Sequence, residues 1–363
     1  NMQISFLISF LISFLISFLI SVVITCIIIK TQHTHKNYSY DSNLNGVQKF
    51  HTNMVPRVGG ISVLLSFYSG LWFLSNNLDI SYVMWIVPLP VFIAGIYEDL
   101  TGKASPLARI MFAFLSILIA FVWMRIGITN LGFEWVDYLL SNYEAISLLF
   151  TLLVMGGVVN SFNIIDGFNG ILSGYSILVS LSMAYVAYVL NDDLAVHLNL
   201  ILCASVFGFF IFNFPFGKIF MGDGGAYFIG LMLAIIGLML VSRHAELSNW
   251  FILLIFMYPM YELLYSIYRR KVIHGTDASQ PDANHLHTLV YRKLISCDRL
   301  KNNKVICNSM VSPFMWLLSL VGIAPAVIWF DNQTMLIIWV FIFMVIYTII
   351  YKYISSDRFK FNH

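Results

Sequence analysis

Long apolar runs follow one another along almost the whole chain, separated only by short polar stretches. A helix that crosses a membrane needs about 20 mostly apolar residues. Eleven segments meet or approach that length: 4–29, 58–75, 82–97, 107–125, 145–163, 171–190, 198–214, 225–242, 248–268, 313–330 and 334–352. The runs are continuous, without the short-period alternation of a barrel strand. The pattern predicts an all-α fold, a polytopic transmembrane helical bundle of about 11 spans. No stretch between the runs is long enough for a soluble domain, so residues 1–363 are expected to form a single integral membrane domain, with the longest connection at 269–312.

The first run contains FLIS four times in succession, from Phe6–Ser9 through Phe18–Ser21. A period of four is close to one helical turn, so the serines line up as a slowly rotating stripe. The run exceeds the apolar core of a cleaved signal peptide, about 7–15 residues, and is expected to remain as an anchor.

Composition agrees. Hydrophobic residues make up 59% and charged residues 10%, against about 45–50% and about 25% in soluble domains. A soluble globular protein and a disordered chain are both excluded. The net charge of +2 says less than the placement of the charges. With eleven spans and the N-terminus outside, in the periplasm, every Lys and Arg except Arg125 and Arg243 falls in the inside loops, the C-terminal tail or the adjoining helix ends. That asymmetry is the positive-inside pattern; it places the C-terminus in the cytoplasm. The cysteines show neither disulfide nor metal-ligand spacing.

Five polar patches lie on that inside face, each richer than a helix connector requires. QKFHTNMVPRVGGI (48–61) offers Lys49, His51 and Arg57; a basic loop facing anionic lipid is an equally good account. In YEDLTGKASPLAR (97–109), Glu98 and Asp99 are adjacent acids able to hold a divalent cation or accept a proton, or to pair as a solvated helix end with Lys103 and Arg109. Ser105-Pro106 reads as the start of the next helix. In NSFNIIDGFNG (160–170), Asn160, Asn163, Asp166 and Asn169 recur every three residues and share one turning helix face, which suits a polar substrate or a metal. In FGKIFMGDGGAYFIG (216–230), Asp223 stands among Gly222, Gly224 and Gly225 at the start of a span, where exposed amides bind phosphate and a carboxylate suits a hard cation. The fifth patch runs from Arg269 and Arg270 to His285 and His287. Two His and an Asp make an incomplete zinc set, and donors for a diphosphate are the better fit. Glu262, within the preceding span, is expected to pair with the basic cluster or stay near the interface.

Carboxylates, amides, glycine turns and cationic donors on one membrane face suit Mg²⁺-assisted phosphoryl chemistry on a diphosphate. At these residues the chain resembles the polyprenyl-phosphate N-acetylhexosamine-1-phosphate transferases, which include UDP-GlcNAc:undecaprenyl-phosphate GlcNAc-1-phosphate transferases and phospho-MurNAc-pentapeptide translocases. NxxNxxDGxxG and MGDGGAYFxG carry the resemblance, with PDxxHxH in support, over about residues 46–293. The resemblance implies that a lipid phosphate attacks the β-phosphorus of a UDP-sugar, releasing UMP and leaving a polyprenyl-diphosphate-sugar.

It further implies Asp223 as the Mg²⁺ ligand (Mn²⁺ substituting), with Asn160, Asn163 and Asp166 close to metal and nucleotide. Asp99 corresponds to the family's base or metal support, with Glu98 beside it. Asn169, Gly222, Gly224, His285, His287, Arg269, Arg270, Lys49 and Arg57 are the expected nucleotide and diphosphate contacts. The chain departs from the family at Glu98, where an Asp is usual, at Asn169, where many members have a second Asp, and at Thr288, where a third His is common. These features are more similar to the branch that begins O-antigen or other surface glycans than to the peptidoglycan branch. The expected partners are a UDP-N-acetylhexosamine, undecaprenyl phosphate and membrane lipid, with a homodimer as an open expectation and no nucleic acid. The competing reading is a transporter or flippase; it would favour charges near the bilayer midplane and internal repeats, whereas here the polar groups collect at one face.

Overall fold

The computed structural model describes residues 2–34, 55–75, 82–273, 275, 282, 284–295 and 303–356. Lys49 and His51 lie outside the described residues. The helices in chain order are α1 (Met2–Lys30), α2 (Gly60–Ser75), α3 (Val83–Ile86), α4 (Leu89–Thr101), α5 (Pro106–Met124), α6 (Glu134–Asn142), α7 (Glu144–Ile165), α8 (Ile171–Val189), α9 (Asp193–Asn213), α10 (Gly222–Arg243), α11 (Asn249–Ile255) and α12 (Met257–Tyr268). A π-helical turn (Arg269–Ile273) follows, then α13 (Leu286–Leu294), α14 (Lys304–Ser309), α15 (Val311–Ile328) and α16 (Gln333–Ser355). No strand occurs among the described residues.

Nine of these segments are long and apolar enough to cross a membrane, with α3–α4 and α14–α15 each counting as one, and α11–α12 passes as a bent pair. The remaining apolar helix, α2, has 16 residues. The span expected over 248–268 is present as the α11–α12 pair, broken between the two helices by a bend of 73°. Pro259, in the first turn of α12, explains the break, since it has no N–H for the carbonyl of Ile255 and its ring crowds that carbonyl. The acid pair Glu98–Asp99, expected at the end of an apolar helix, lies in the last turn of α4.

α10 is the axis of the bundle. Every residue from Gly222 to Leu240 is buried, as a helix apolar on all sides requires. It packs against α4, α7 and α2. At the periphery, α1 packs on α9 and α2. Its serine stripe faces inward: Ser13, Ser17, Ser21 and Thr25 are buried while Leu11, Leu15, Leu19 and Val23 are exposed. Ser21 Oγ donates to the Ser205 carbonyl (2.6 Å) and Thr25 Oγ1 to Ser62 Oγ (2.9 Å). Between apolar helices in lipid, small polar residues allow close approach and supply the hydrogen bonds.

The turn from α4 to α5 follows local rules. Gly102 closes α4 at φ 63°, donating its N–H to the Glu98 carbonyl (2.7 Å), a left-handed position that favours glycine. Ser105 caps α5 by accepting from the Ala108 N–H (3.1 Å), with Pro106 next, as its sequence implies.

Candidate active site

The site is built around the amino end of α10. Asp99 is buried there, and both its oxygens accept backbone N–H groups: Asp223 N–H to Oδ1 at 2.8 Å and Gly224 N–H to Oδ2 at 3.0 Å. A carboxylate at a helix amino end complements the partial positive charge of the orphan amides. Of the amides expected to cradle phosphate, those of Asp223 and Gly224 are therefore already engaged by Asp99. Gly224 is corrected accordingly, and Gly222 and Gly224 are both buried and closely packed. Gly222 has φ 79°, and a Cβ there would run into the Arg57 carbonyl and the Asp99 carboxylate. Gly224 faces Gly95 of α4 and Gly225 faces Gly60 of α2, at approaches that leave no room for a side chain.

The segment before α2 lies alongside the segment before α10. Phe220 N–H donates to Pro56 O (2.9 Å), Gly59 N–H to Phe220 O (2.9 Å) and Gly60 N–H to Met221 O (2.8 Å). This pairing carries Arg57 across the helix end. Arg57 Nη2 donates to Asp223 Oδ1 at 2.5 Å, and its Nε lies 3.5 Å from Asp99 Oδ1. Arg109 of α5 donates to the other Asp223 oxygen. Asp223 is thus held between two guanidiniums from different elements.

Asp166 ends α7, with its N–H donated to the Asn163 carbonyl (3.3 Å). Burial pushes its carboxyl up to about 7, the Arg57 charge opposing the rise and the Asp223 charge adding to it. Asn160 and Asn163 are half-buried on the last turns of the same helix. Glu98 points elsewhere: its Oε2 accepts from the Ala104 N–H (2.7 Å) and closes the α4–α5 turn.

Asn169 is anchored on several sides, while its Oδ1 is buried with no hydrogen-bond partner among the described residues. Its N–H donates to Asn308 Oδ1 (2.8 Å), its Nδ2 to Ser309 Oγ (3.1 Å), and its carbonyl accepts from Ser312 Oγ (2.5 Å). Asn213 Oδ1 accepts from Gly170 N–H at 2.7 Å. The loop after Asp166 is therefore tied down from α9, α14 and α15.

The histidine segment packs against that loop. His287 is buried, its ring edge-on to Phe168 at 5.6 Å, and it fills the space beside Gly167. Burial lowers its imidazole to about 4, with Glu262 and Asp282 opposing the fall and His285 adding to it. His285 stacks on His287 at 5.2 Å. Arg269 pairs with Asp282, which also accepts from Ser266 Oγ (2.6 Å) and Asn284 N–H (2.9 Å). Burial disfavours the Asp282 charge, but His285, Ser266, the Asn284 amide and Arg269 together hold its carboxyl below the ordinary range. Arg269 and Arg270 are both buried, so Arg269 anchors this loop where a diphosphate contact was expected.

The structure thus brings together Asp99, Asp166, Asp223 and Arg57, and sets His287 beside the loop that follows Asp166. The reading of the sequence left Arg109 and the buried Glu262 out of the site. Arg109 carried one signal: a cation in the first turn of a helix sits against the dipole, and needs a carboxylate to hold it there.

Among the described residues no group of three or more His, Cys, Asp or Glu side chains could hold a metal ion. A hard cation that completes its shell with water and substrate phosphates needs one or two carboxylates. Asp223 and Asp166 are oxygen donors close enough for the charge of one to act on the other, and they fit that smaller requirement.

Helices that fill a bilayer-length bundle, with acids, arginines and a histidine gathered at one end, define a multi-pass membrane protein with a polar site at the bundle's edge. Comparison with known proteins sharpens this. Glycosyl transferase family 4 matches residues 81–241, the stretch that holds Asp99, Arg109, Asp166 and Asp223. The chain is 25% identical over 297 residues to a probable undecaprenyl-phosphate N-acetylglucosaminyl 1-phosphate transferase of Bacillus subtilis, covering 81% of this chain and 80% of that one. It is 28% identical to an undecaprenyl-phosphate alpha-N-acetylglucosaminyl 1-phosphate transferase of Thermotoga maritima, covering 68% and 72%. It is 30% identical to a phospho-N-acetylmuramoyl-pentapeptide-transferase of Pelagibacter ubique, covering 52% and 60%. The chain is thus similar to glycosyl transferase family 4 over residues 81–241 and, over most of its length, to curated undecaprenyl-phosphate N-acetylglucosaminyl 1-phosphate transferases.

Proposed function

We propose that this protein transfers an N-acetylhexosamine-1-phosphate from a UDP-sugar to a membrane polyprenyl phosphate. An oxygen of the lipid phosphate bonds to the β-phosphorus, the bond from that phosphorus to the bridging oxygen breaks, and UMP leaves with that oxygen. The carrying observation is the convergence of Asp223, Asp166, Asp99, Arg57 and Arg109 at one helix end, in a chain with these similarities. Phosphoryl transfer needs little covalent participation from the protein and much positioning and charge stabilisation. Asp223, with Asp166 beside it, would hold Mg²⁺ or a substituting Mn²⁺, which offsets the diphosphate charge. Arg57 and Arg109 face the same place and supply forked donors for phosphate oxygens. Asp99 holds the helix end, and so Asp223, in place.

The fold in this reading has about 11 spans in one domain, α2 and the bent pair included. The N-terminus is periplasmic, and the site lies on the cytoplasmic face of a bacterial inner membrane. The product would begin a surface glycan of the O-antigen type, and a homodimer is the assembly to look for. The test uses membranes containing the protein, undecaprenyl phosphate, Mg²⁺ and a panel of UDP-N-acetylhexosamines, following UMP and lipid-diphosphate-sugar. Turnover with one donor that EDTA abolishes supports the reading. No turnover with any UDP-sugar, in membranes where the protein is well inserted, overturns it.

A further inference from the structure

Glu262 is almost fully buried in α12, a position where an ionised side chain is costly unless its charge is used. Its Oε1 accepts from His285 Nδ1 (3.0 Å) and from the Leu286 N–H (2.9 Å), and its Oε2 accepts from the Tyr347 O–H (2.8 Å). A carboxylate can only accept here, so the His285 proton sits on Nδ1. Tyr351 O–H adds a bond to the Asn284 carbonyl (2.9 Å). Three parts of the chain meet at this one side chain: the helix beyond the bend, the histidine segment and the last helix, α16.

The two histidines are placed differently. His285 lies between Glu262 and Asp282, its Nε2 3.7 Å from Asp282 Oδ2. His287 stacks on it nearly parallel, at 12°. His287 Nδ1 is buried with no hydrogen-bond partner among the described residues, and its Nε2 lies 3.1 Å from where a Cβ on Gly167 would stand. One ring is hydrogen-bonded to the Glu262 carboxylate; the other is pressed against the loop that follows Asp166.

We infer that Glu262 is a positioning residue for the transfer. It fixes His285 as a strut, and the strut holds the His287 imidazole against the Asp166–Gly167 turn, where it meets the diphosphate. The inference rests on the transferase reading above, and divides the histidine pair into a support and a contact.

The test is a double-mutant cycle on the full-length protein in membranes. Glu262→Gln should lower kcat about tenfold, the scale of a lost charge-assisted hydrogen bond, with a smaller change in KM for the UDP-sugar. Tyr347→Phe should act in the same direction more weakly, and it carries the test if Glu262→Gln fails to fold. Glu262→Gln combined with His287→Gln should be no slower than His287→Gln alone, because the strut acts only through His287. A second readout needs no turnover: carbethoxylation of His287 by diethyl pyrocarbonate, followed by peptide mass spectrometry, should be faster in Glu262→Gln and in Tyr347→Phe than in wild type. Full kcat in the Glu262 variant, additive losses in the cycle, or unchanged modification of His287 would each overturn the strut. Absence of wild-type turnover with every donor would instead sink the transferase reading, and the modification rates would then decide the strut alone.

Discussion

The two ends of α10 both carry a carboxylate–arginine cluster, and they are built for different ends. At the carboxyl end, Asp192 caps α9 by accepting from the Ala195 N–H (3.0 Å) and pairs with Arg243 Nη1 (3.1 Å) and His244 Nε2 (3.2 Å). Burial disfavours the Asp192 charge, but the Ala195 amide, Arg243 and His244 outweigh it and hold the carboxyl below its ordinary range. Arg243 also stands in the last turn of α10, where a cation complements the dipole. There the Asp192 carboxylate is met by both Arg243 and His244. At the amino end, Asp99, Asp166 and Asp223 gather with Arg57 and Arg109, and Asp166 is left with its carboxyl pushed up to about 7. The balanced cluster closes a helix. The amino-end cluster leaves Asp166 with a charge that burial disfavours, and perturbed groups of that kind collect where chemistry is done.

Removing the central carboxylate of the unbalanced end is the most damaging way to test the contrast. Asp223→Asn should lower kcat by about 10³-fold or more while the protein still inserts. Turnover of UDP-sugar in membranes matched for protein amount measures it, and retained activity would remove Asp223 from the reaction. Arg109→Ala should follow at about 10²-fold. Arg109→Lys should recover part of that, since Lys keeps the charge and loses the fork. Equal activity of the Ala and Lys variants would mean that charge at this position is irrelevant.

Acidity should separate the two ends next. The charged form of Asp166 is lost as pH falls through about 7, so kcat/KM should drop about tenfold per pH unit on the acid side. His287, lowered to about 4, stays neutral throughout that range and cannot be the source of the limb. A pH–rate profile of His287→Gln checks this: the limb should survive at the lower activity. If it vanishes, the titrating group has been misassigned.

Local signals were read well from the chain. Ser105-Pro106 marked a helix start, the FLIS period turned Ser13, Ser17 and Ser21 onto one buried face, and Asp99 and Asp223 stood out as acids beside apolar runs. Cross-helix partnerships were not legible. Arg109 and Asp223 are separated by 114 positions and Asn169 and Asn308 by 139, and pairs so far apart leave no periodic trace. The same limit explains why the amides of Asp223 and Gly224 were expected to be open to phosphate: their acceptor, Asp99, comes from another helix. The bend before α12 did have a local mark in Pro259, which the length of the apolar run outweighed.

The balanced end supplies the smallest effect and the sharpest control. Asp192→Ala removes an N-cap and an ion pair from a site far from the proposed chemistry along α10. It should lower stability by about 1–3 kcal/mol and leave kcat unchanged, as measured by the unfolding midpoint in detergent beside turnover in membranes. The stabilisation it removes has its own pH window. A carboxyl held below its ordinary value of 3.8 contributes fully above about pH 4 and loses that contribution only on further acidification. Between pH 8 and 6 the stability difference between Asp192→Ala and wild type should therefore stay constant, while the activity of both falls together. A kcat deficit in Asp192→Ala, or a stability gap that closes as pH drops from 8 to 6, would show that the two ends of α10 are coupled and that the contrast between them is misdrawn.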